Sequence, residues 1–280
     1  MNLITYLQYP FAVHALIAAT LIALVSGLIA PFVAARDMAF AVHGTAELAF
    51  PGAVAGLLVA GDAVSGALVG SLVVATAIAV LGTRHTDRNT AIGVILAFGL
   101  GVGVFLLSYY HGYAAAATNI LFGSIVSVTT TDIVVLAVIA VAVTVVIGAV
   151  YWPLLFASID PDVAEARGVP TRLLGLVFVF ALAITVTEVA QIVGTLLVLS
   201  LAITPAATAR RLSASPLVVT GLSILFALLA ADGGFLLSLQ FIDSDIKASV
   251  FITFISFAFY LAARAAERAG FGASRARPAG

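Results

Sequence analysis

The chain has no cysteine, two methionines, one tryptophan and a single lysine. Without thiols there can be no disulfide, no thiolate metal site and no thiol redox chemistry. Charged side chains make up 9% of the 280 residues, whereas soluble domains usually carry about 25%. With a net charge of −1 and so few cations, no basic patch for nucleic acid is available. The chain also lacks G-x-x-x-x-G-K-[ST], H-E-x-x-H and G-x-S-x-G, so it has no P-loop, no zincin helix and no nucleophile elbow, and catalysis by the chain itself is not expected. Its first residues carry no basic n-region and no cleavage pattern, so the first apolar run reads as a retained span.

What is abundant is hydrocarbon. Hydrophobic residues reach 63%, and the mean hydropathy is +1.23. The expected fold is all-α, a polytopic transmembrane helical bundle. Spans need about 20 apolar residues, and the sequence offers nine, near 11–35, 38–60, 63–82, 91–110, 132–152, 172–187, 191–209, 215–237 and 247–264. The pair 172–187 and 191–209, separated at Glu188, would leave eight if it were one long or broken segment. No connection is long enough for a soluble domain, which predicts one membrane domain over 1–265 and a short Arg-rich tail over 266–280. Arg36, Arg84, Arg88, Arg167, Arg172, Arg210, Arg211, Arg264, Arg268, Arg275 and Arg277 all fall in alternate connections. Under the positive-inside rule this places the N-terminus outside and the C-terminus in the cytoplasm. Asp62, His111, Glu188, Asp232, Asp243, Asp245 and Lys247 fall on the opposite side.

His43 and Glu47 stand four residues apart in the second apolar run, and so share one helix face. An ionisable group in hydrocarbon costs roughly 3 kcal/mol, which makes a lipid-facing position costly for either. Imidazole with carboxylate suits Zn²⁺, Mn²⁺ or Fe²⁺ better than Mg²⁺ or K⁺. The pair therefore reads as a transit site for a divalent metal, against a plain hydrogen-bonded tie to a neighbouring helix or a proton relay, and Glu188 is a further metal candidate, against an ordinary boundary residue facing water. Pro51 and Gly52 follow as an expected helix break.

Two further stretches are informative. Asp160-Pro161-Asp162 opens a short amphipathic helix that stops at Gly168, with acids at the positive end of the dipole. It is either a connector or a docking element for a cytoplasmic partner. From Gly194 to Arg211, small residues surround Pro205, which predicts close packing and a kink. Gly52-x-x-x-Gly56, Gly66-x-x-x-Gly70 and Gly99-x-Gly101-x-Gly103 are packing signals as well.

Together these segments resemble the zinc/manganese/iron permease family of ABC importers. MAFAVHGTAELAFPG (38–52) is similar to that family's second span, the stretch 160–169 to its D-x-x-x-A-x-x-x-G-V coupling segment, 194–210 to its small-residue signature, and Leu121 to Val128 to its L-F-G-S-I-L-x-V motif. The region 234–249 follows the family loosely and lacks its Pro-x-Gly. Where the family commonly places Asp before His, this chain has His43 before Glu47, so the ligand types are kept and their order is exchanged.

The resemblance implies a membrane-spanning permease subunit, in the plasma or inner membrane, of an ATP-binding-cassette importer for divalent metal. It implies two permease copies with the pathway at their interface, a separate cytoplasmic ATPase and an extracytoplasmic metal-binding protein. Asp160, Ala164 and Gly168 would form the ATPase-coupling helix. No resident cofactor is implied, since the metal is cargo. The competing readings are a cation-coupled secondary transporter relaying ions through His43, Glu47 and Glu188, and a membrane scaffold without transport.

Overall fold

The computed structural model describes residues 8–81, 85–110, 128–241 and 246–271, and every regular element among them is helical. In chain order these are α1 (Pro10–Ala35), α2 (Ala39–Val59), α3 (Ala63–Leu81), α4 (His85–Leu107), α5 (Thr130–Ala149), α6 (Tyr151–Ile159), α7 (Pro161–Ala166), α8 (Thr171–Val193), α9 (Thr195–Leu212), α10 (Pro216–Gln240) and α11 (Ala248–Ala266). Six stretches are long and apolar enough to cross a bilayer, lying in α1, α2, α5, α8, α10 and α11, the last running on into a short helical turn over Glu267–Phe271. Two shorter apolar stretches lie in α3 and α4. The motif at 121–128 lies, but for Val128, outside the described residues.

Two compact units emerge, each assembled from separated pieces of the chain: one from residues 1–34, 125–140 and 199–280, the other from 35–124 and 141–198. In the second unit α2 packs against α3, α4 and α8. Lipid tails are as apolar as leucine, so helices associate there through close van der Waals approach rather than hydrophobic exclusion. The two G-x-x-x-G motifs supply that approach. A β-carbon on Gly52 would lie 2.5 Å from the Gly66 carbonyl oxygen and 2.8 Å from Gly70 Cα, and one on Gly56 would lie 2.7 Å from Gly66 Cα. Ala49, Ala53 and Ala67 fill the rest of this seam. Gly99 and Gly103 of α4 receive the Leu48 and Phe50 side chains of α2. Asp62 caps α3 by accepting from the Val64 amide at 3.0 Å. The Ser65 hydroxyl and that amide hold its carboxyl below the usual carboxylate range, so the stabilisation from this cap is complete above that range and is lost as the pH falls below it, through the lowered value.

In the first unit Gly27 brings α1 against the backbone of α10 at Ile224, and Gly234 brings α10 against α11 at Ile252. Arg210 donates to the Ala34 carbonyl at 3.2 Å, satisfying one of the orphan acceptors at the end of α1. Arg211 joins α9 to the end of α11, donating to Glu267 and to the Tyr260 hydroxyl at 2.6 Å each.

Three expectations change. Helix α8 does not end at Glu188 but runs to Val193, and Gly194 makes the break with φ 95° and ψ 150°. That region of backbone space is essentially closed to residues with a β-carbon, which is why the glycine and not the acid marks the boundary. Asp232 lies inside α10 rather than in a connection. The Thr20 hydroxyl stands 3.1 Å from its carboxylate and 2.9 Å from the Leu16 carbonyl, and with one hydrogen it serves one acceptor at a time. Finally, α2 and α9 are continuous through Pro51 and Pro205. Each proline removes one intrahelical hydrogen bond, and packed neighbours hold the helix across the gap.

If the glycine seam holds α2 to α3, Gly52→Ala should destabilise the purified protein by about 1–3 kcal/mol, as overpacking does. Gly221→Ala, where a β-carbon meets nothing within 4 Å, should leave the thermal unfolding midpoint in detergent unchanged or slightly higher. Equal midpoints for both would refute the seam.

Candidate functional site

Helix α2 has the lowest mean hydropathy of the six apolar spans, 1.3. Its polarity is concentrated on one stripe. Phe40, His43, Glu47 and Pro51 follow the helical repeat and stay partly open, while Ala41, Val42, Ala46, Ala53 and Val54 are buried. The spacing brings His43 Nε2 to 3.2 Å from Glu47 Oε1, with the two side chains 32% and 25% exposed. His43 Nδ1 is shielded from solvent and has no hydrogen-bond partner among the described residues. The Phe40 ring stands 6.5 Å from the imidazole, centroid to centroid.

That geometry suits a metal. Donors about 2.1 Å from one first-row ion stand roughly 3.0 Å apart at a right angle and 3.4 Å apart at the tetrahedral angle. The observed 3.2 Å lies between these and is also an ordinary imidazole–carboxylate contact, so the separation is compatible with either a shared ion or a direct tie. Pro51 adds a second feature. It has no N–H to offer the carbonyl four residues earlier, and that carbonyl belongs to Glu47. The Thr45 hydroxyl, by contrast, is spent on the Ala41 carbonyl at 2.7 Å.

Two ligands are half of a usual site. Among the described residues no group of three or more His, Asp or Glu is placed to hold a metal. Glu188 is buried within α8, 6% exposed, and does not complete such a group with His43 and Glu47. No three-residue metal site is therefore formed from His43, Glu47 and Glu188 among the described residues.

The segment 160–168 forms a helix closed at both ends. Asp160 accepts from the Val163 amide at 3.0 Å, with Pro161 in the first turn. At the other end the Gly168 amide donates to Glu165 at 2.9 Å and the Val169 amide to Ala164 at 3.0 Å. With Gly168 at φ +79°, this is the paired hydrogen-bond pattern that ends helices on a left-handed residue. Ala164 is fully buried, while the other α7 residues are exposed. Thus α7 projects outward, seated on one methyl group.

In the sequence Arg36 marks only orientation, but in the structure it has partners on two other helices. Its Nε donates to Ser158 Oγ at 2.8 Å, and its guanidinium lies 5.2 Å from the Phe178 ring centroid. The signal was a basic residue placed directly before the polar helix, but its partners lie too far along the chain to be read from spacing.

Comparison with known proteins places this geometry in context. Residues 8–267 match the ABC 3 transport family (ABC-3). A probable metal transport system membrane protein of Thermotoga maritima is 30% identical over 251 residues, 89% of each chain. The manganese transport system membrane protein MntC of Halalkalibacterium halodurans is 29% identical, covering 81% of this chain and 78% of that one. Among solved structures, PsaBC from Streptococcus pneumoniae in complex with Fab superposes with a TM-score of 0.83 at 27% identity, over 93% of this chain and 94% of that one.

The cap geometry of α7 makes its own prediction. Losing an N-cap costs about 1 kcal/mol, so Asp160→Ala should speed amide exchange at Val163 about fivefold, and Asp160→Asn should not. Equal exchange in all three proteins would show that the cap is dispensable.

Proposed function

Because the chain belongs to the ABC 3 transport family, we propose that it is the membrane permease subunit of an ATP-driven importer of divalent metal ions of the Zn/Mn/Fe class. In this reading a cytoplasmic ATPase supplies the energy, an extracytoplasmic binding protein delivers the metal, and two permease copies enclose the path. The observation that carries it is the His43–Glu47 pair at 3.2 Å on a partly open stripe of α2. A second copy would bring the same two donors across a shared axis and complete a four-ligand site. Such a site should bind weakly, since an ion in transit must leave.

The single membrane domain of nine spans, with the C-terminus cytoplasmic, fits this role. All eleven arginines then lie on the ATPase side, and α7 projects on that side too. Its exposed flanks would enter a groove of the ATPase, with Ala164 as the seat, Asp160 as the cap and Gly168 returning the chain to the membrane. The relative from Halalkalibacterium halodurans belongs to a manganese transport system, which makes manganese one candidate cargo here. Here the exchanged order of acid and histidine leaves the ligand types intact.

His43→Ala and Glu47→Gln are expected to reduce ATP-dependent Mn²⁺ or Zn²⁺ uptake by the reconstituted complex to the ATP-free background, while the complex still assembles. Normal uptake by both variants would remove the pair from the path. Uptake that survives loss of the ATPase but collapses with an uncoupler would replace the whole reading with ion-coupled transport.

A further inference from the structure

We infer that Arg36 is a positioning residue that ties the cytoplasmic helix α7 to the metal-handling helix α2, an inference that rests on the importer reading above. Arg36 lies in the three-residue connection between α1 and α2. The next residue, Asp37, adopts a left-handed φ of 51°, which aspartate tolerates better than most side chains. The connection is therefore a tight turn, and the Arg36 backbone is fixed close to the start of α2. His43 follows seven residues later, about 10 Å along a helix.

The side chain reaches both flanks of α7. On the upstream flank, Arg36 Nε donates to Ser158 Oγ at 2.8 Å, two residues before the Asp160 cap. The Ser158 hydroxyl hydrogen is itself committed to the Leu154 carbonyl at 2.5 Å. Since a guanidinium can only donate, the direction of this bond is fixed: Ser158 receives Arg36 on a lone pair while anchored to its own helix. On the downstream flank the guanidinium lies over the Phe178 ring, 5.2 Å from its centroid, on the helix that follows α7. A β-carbon on Gly175, one turn earlier, would stand 3.7 Å from Arg36 Nη1, so the cation lies along this face of α8. Ser158 is 7% and Phe178 0% exposed.

An arginine needed only to orient a membrane protein requires no such partners, because charge at the aqueous edge suffices. This one is placed so that α6, α8 and the start of α2 meet on a single planar group. Lysine cannot reproduce this, having no flat face to lay on a ring while a second nitrogen donates at its edge. Helix α7 is short and closed at both ends, so a push on it displaces α6 and α8 as a unit. Arg36 passes that displacement to the helix bearing His43 and Glu47.

The test uses the full complex of permease, ATPase and binding protein in proteoliposomes, reading Mn²⁺ moved per ATP hydrolysed. Arg36→Ala should assemble and hydrolyse ATP, but should move at least tenfold less metal per ATP, with Arg36→Lys between it and the parent. Ser158→Ala should lower the same ratio and add little in the Arg36→Ala background, because contacts acting through one link are not additive. If Arg36→Ala fails to assemble, Ser158→Ala and Phe178→Leu decide: a lowered ratio in both supports the link, and an unchanged ratio in both overturns it. A parent-like ratio in Arg36→Ala, or fully additive losses, overturns it while leaving the importer reading intact. A parent complex that moves no metal with ATP overturns both.

Discussion

Hydrocarbon cannot solvate an imidazole or a carboxylate, and the surroundings of α2 are arranged around that fact. The cost of exposing either group to lipid is several kcal/mol, comparable with a large share of the stability of a whole domain. So α2 is given neighbours on its other faces, with α3 along its glycine seam, α4 against Leu48 and Phe50, and α8 beyond. One stripe is left partly open, and it is the stripe that carries His43 and Glu47. Polarity that would be a defect on a lipid-facing helix is tolerated there because the rest of the helix is enclosed by its neighbours.

The same economy governs the backbone. Helix ends and prolines leave polar groups without intrahelical partners, and in this chain several are met by side chains. Arg210 takes the Ala34 carbonyl, Asp160 takes the Val163 amide, and Asp62 takes the Val64 amide. The Glu47 carbonyl, deprived of its donor by Pro51, lies on the residue that already carries the carboxylate. The sequence thus concentrates acceptors at one level of one helix.

What could be read from the chain alone was what depends on neighbours in sequence. The four-residue spacing of His43 and Glu47 fixes their common face whatever surrounds them, and the Asp160 cap and Gly168 stop are closed by bonds spanning five residues or fewer. The G-x-x-x-G pairs were legible as packing signals because α2 and α3 are joined by a short turn. What escaped depended on distant chain. Glu188 looked like a boundary because it is charged, yet tertiary burial overrode that and left the break to Gly194. Asp232 was assigned to a connection for the same reason. Arg36 and Ser158 are 122 positions apart, beyond the reach of any periodicity.

The seam between α2 and α3 limits what motion is available. Helices that interlock through long side chains can slide by small rotamer adjustments, as in shear. Here the main chains touch, with Gly52 against Gly66 and Gly70 and no side chain between them, so sliding or rotating one helix drives backbone into backbone. The hairpin is thereby reduced to one stiff lever. Any stroke that turns His43 and Glu47 from one side of the membrane toward the other must swing α3 with them.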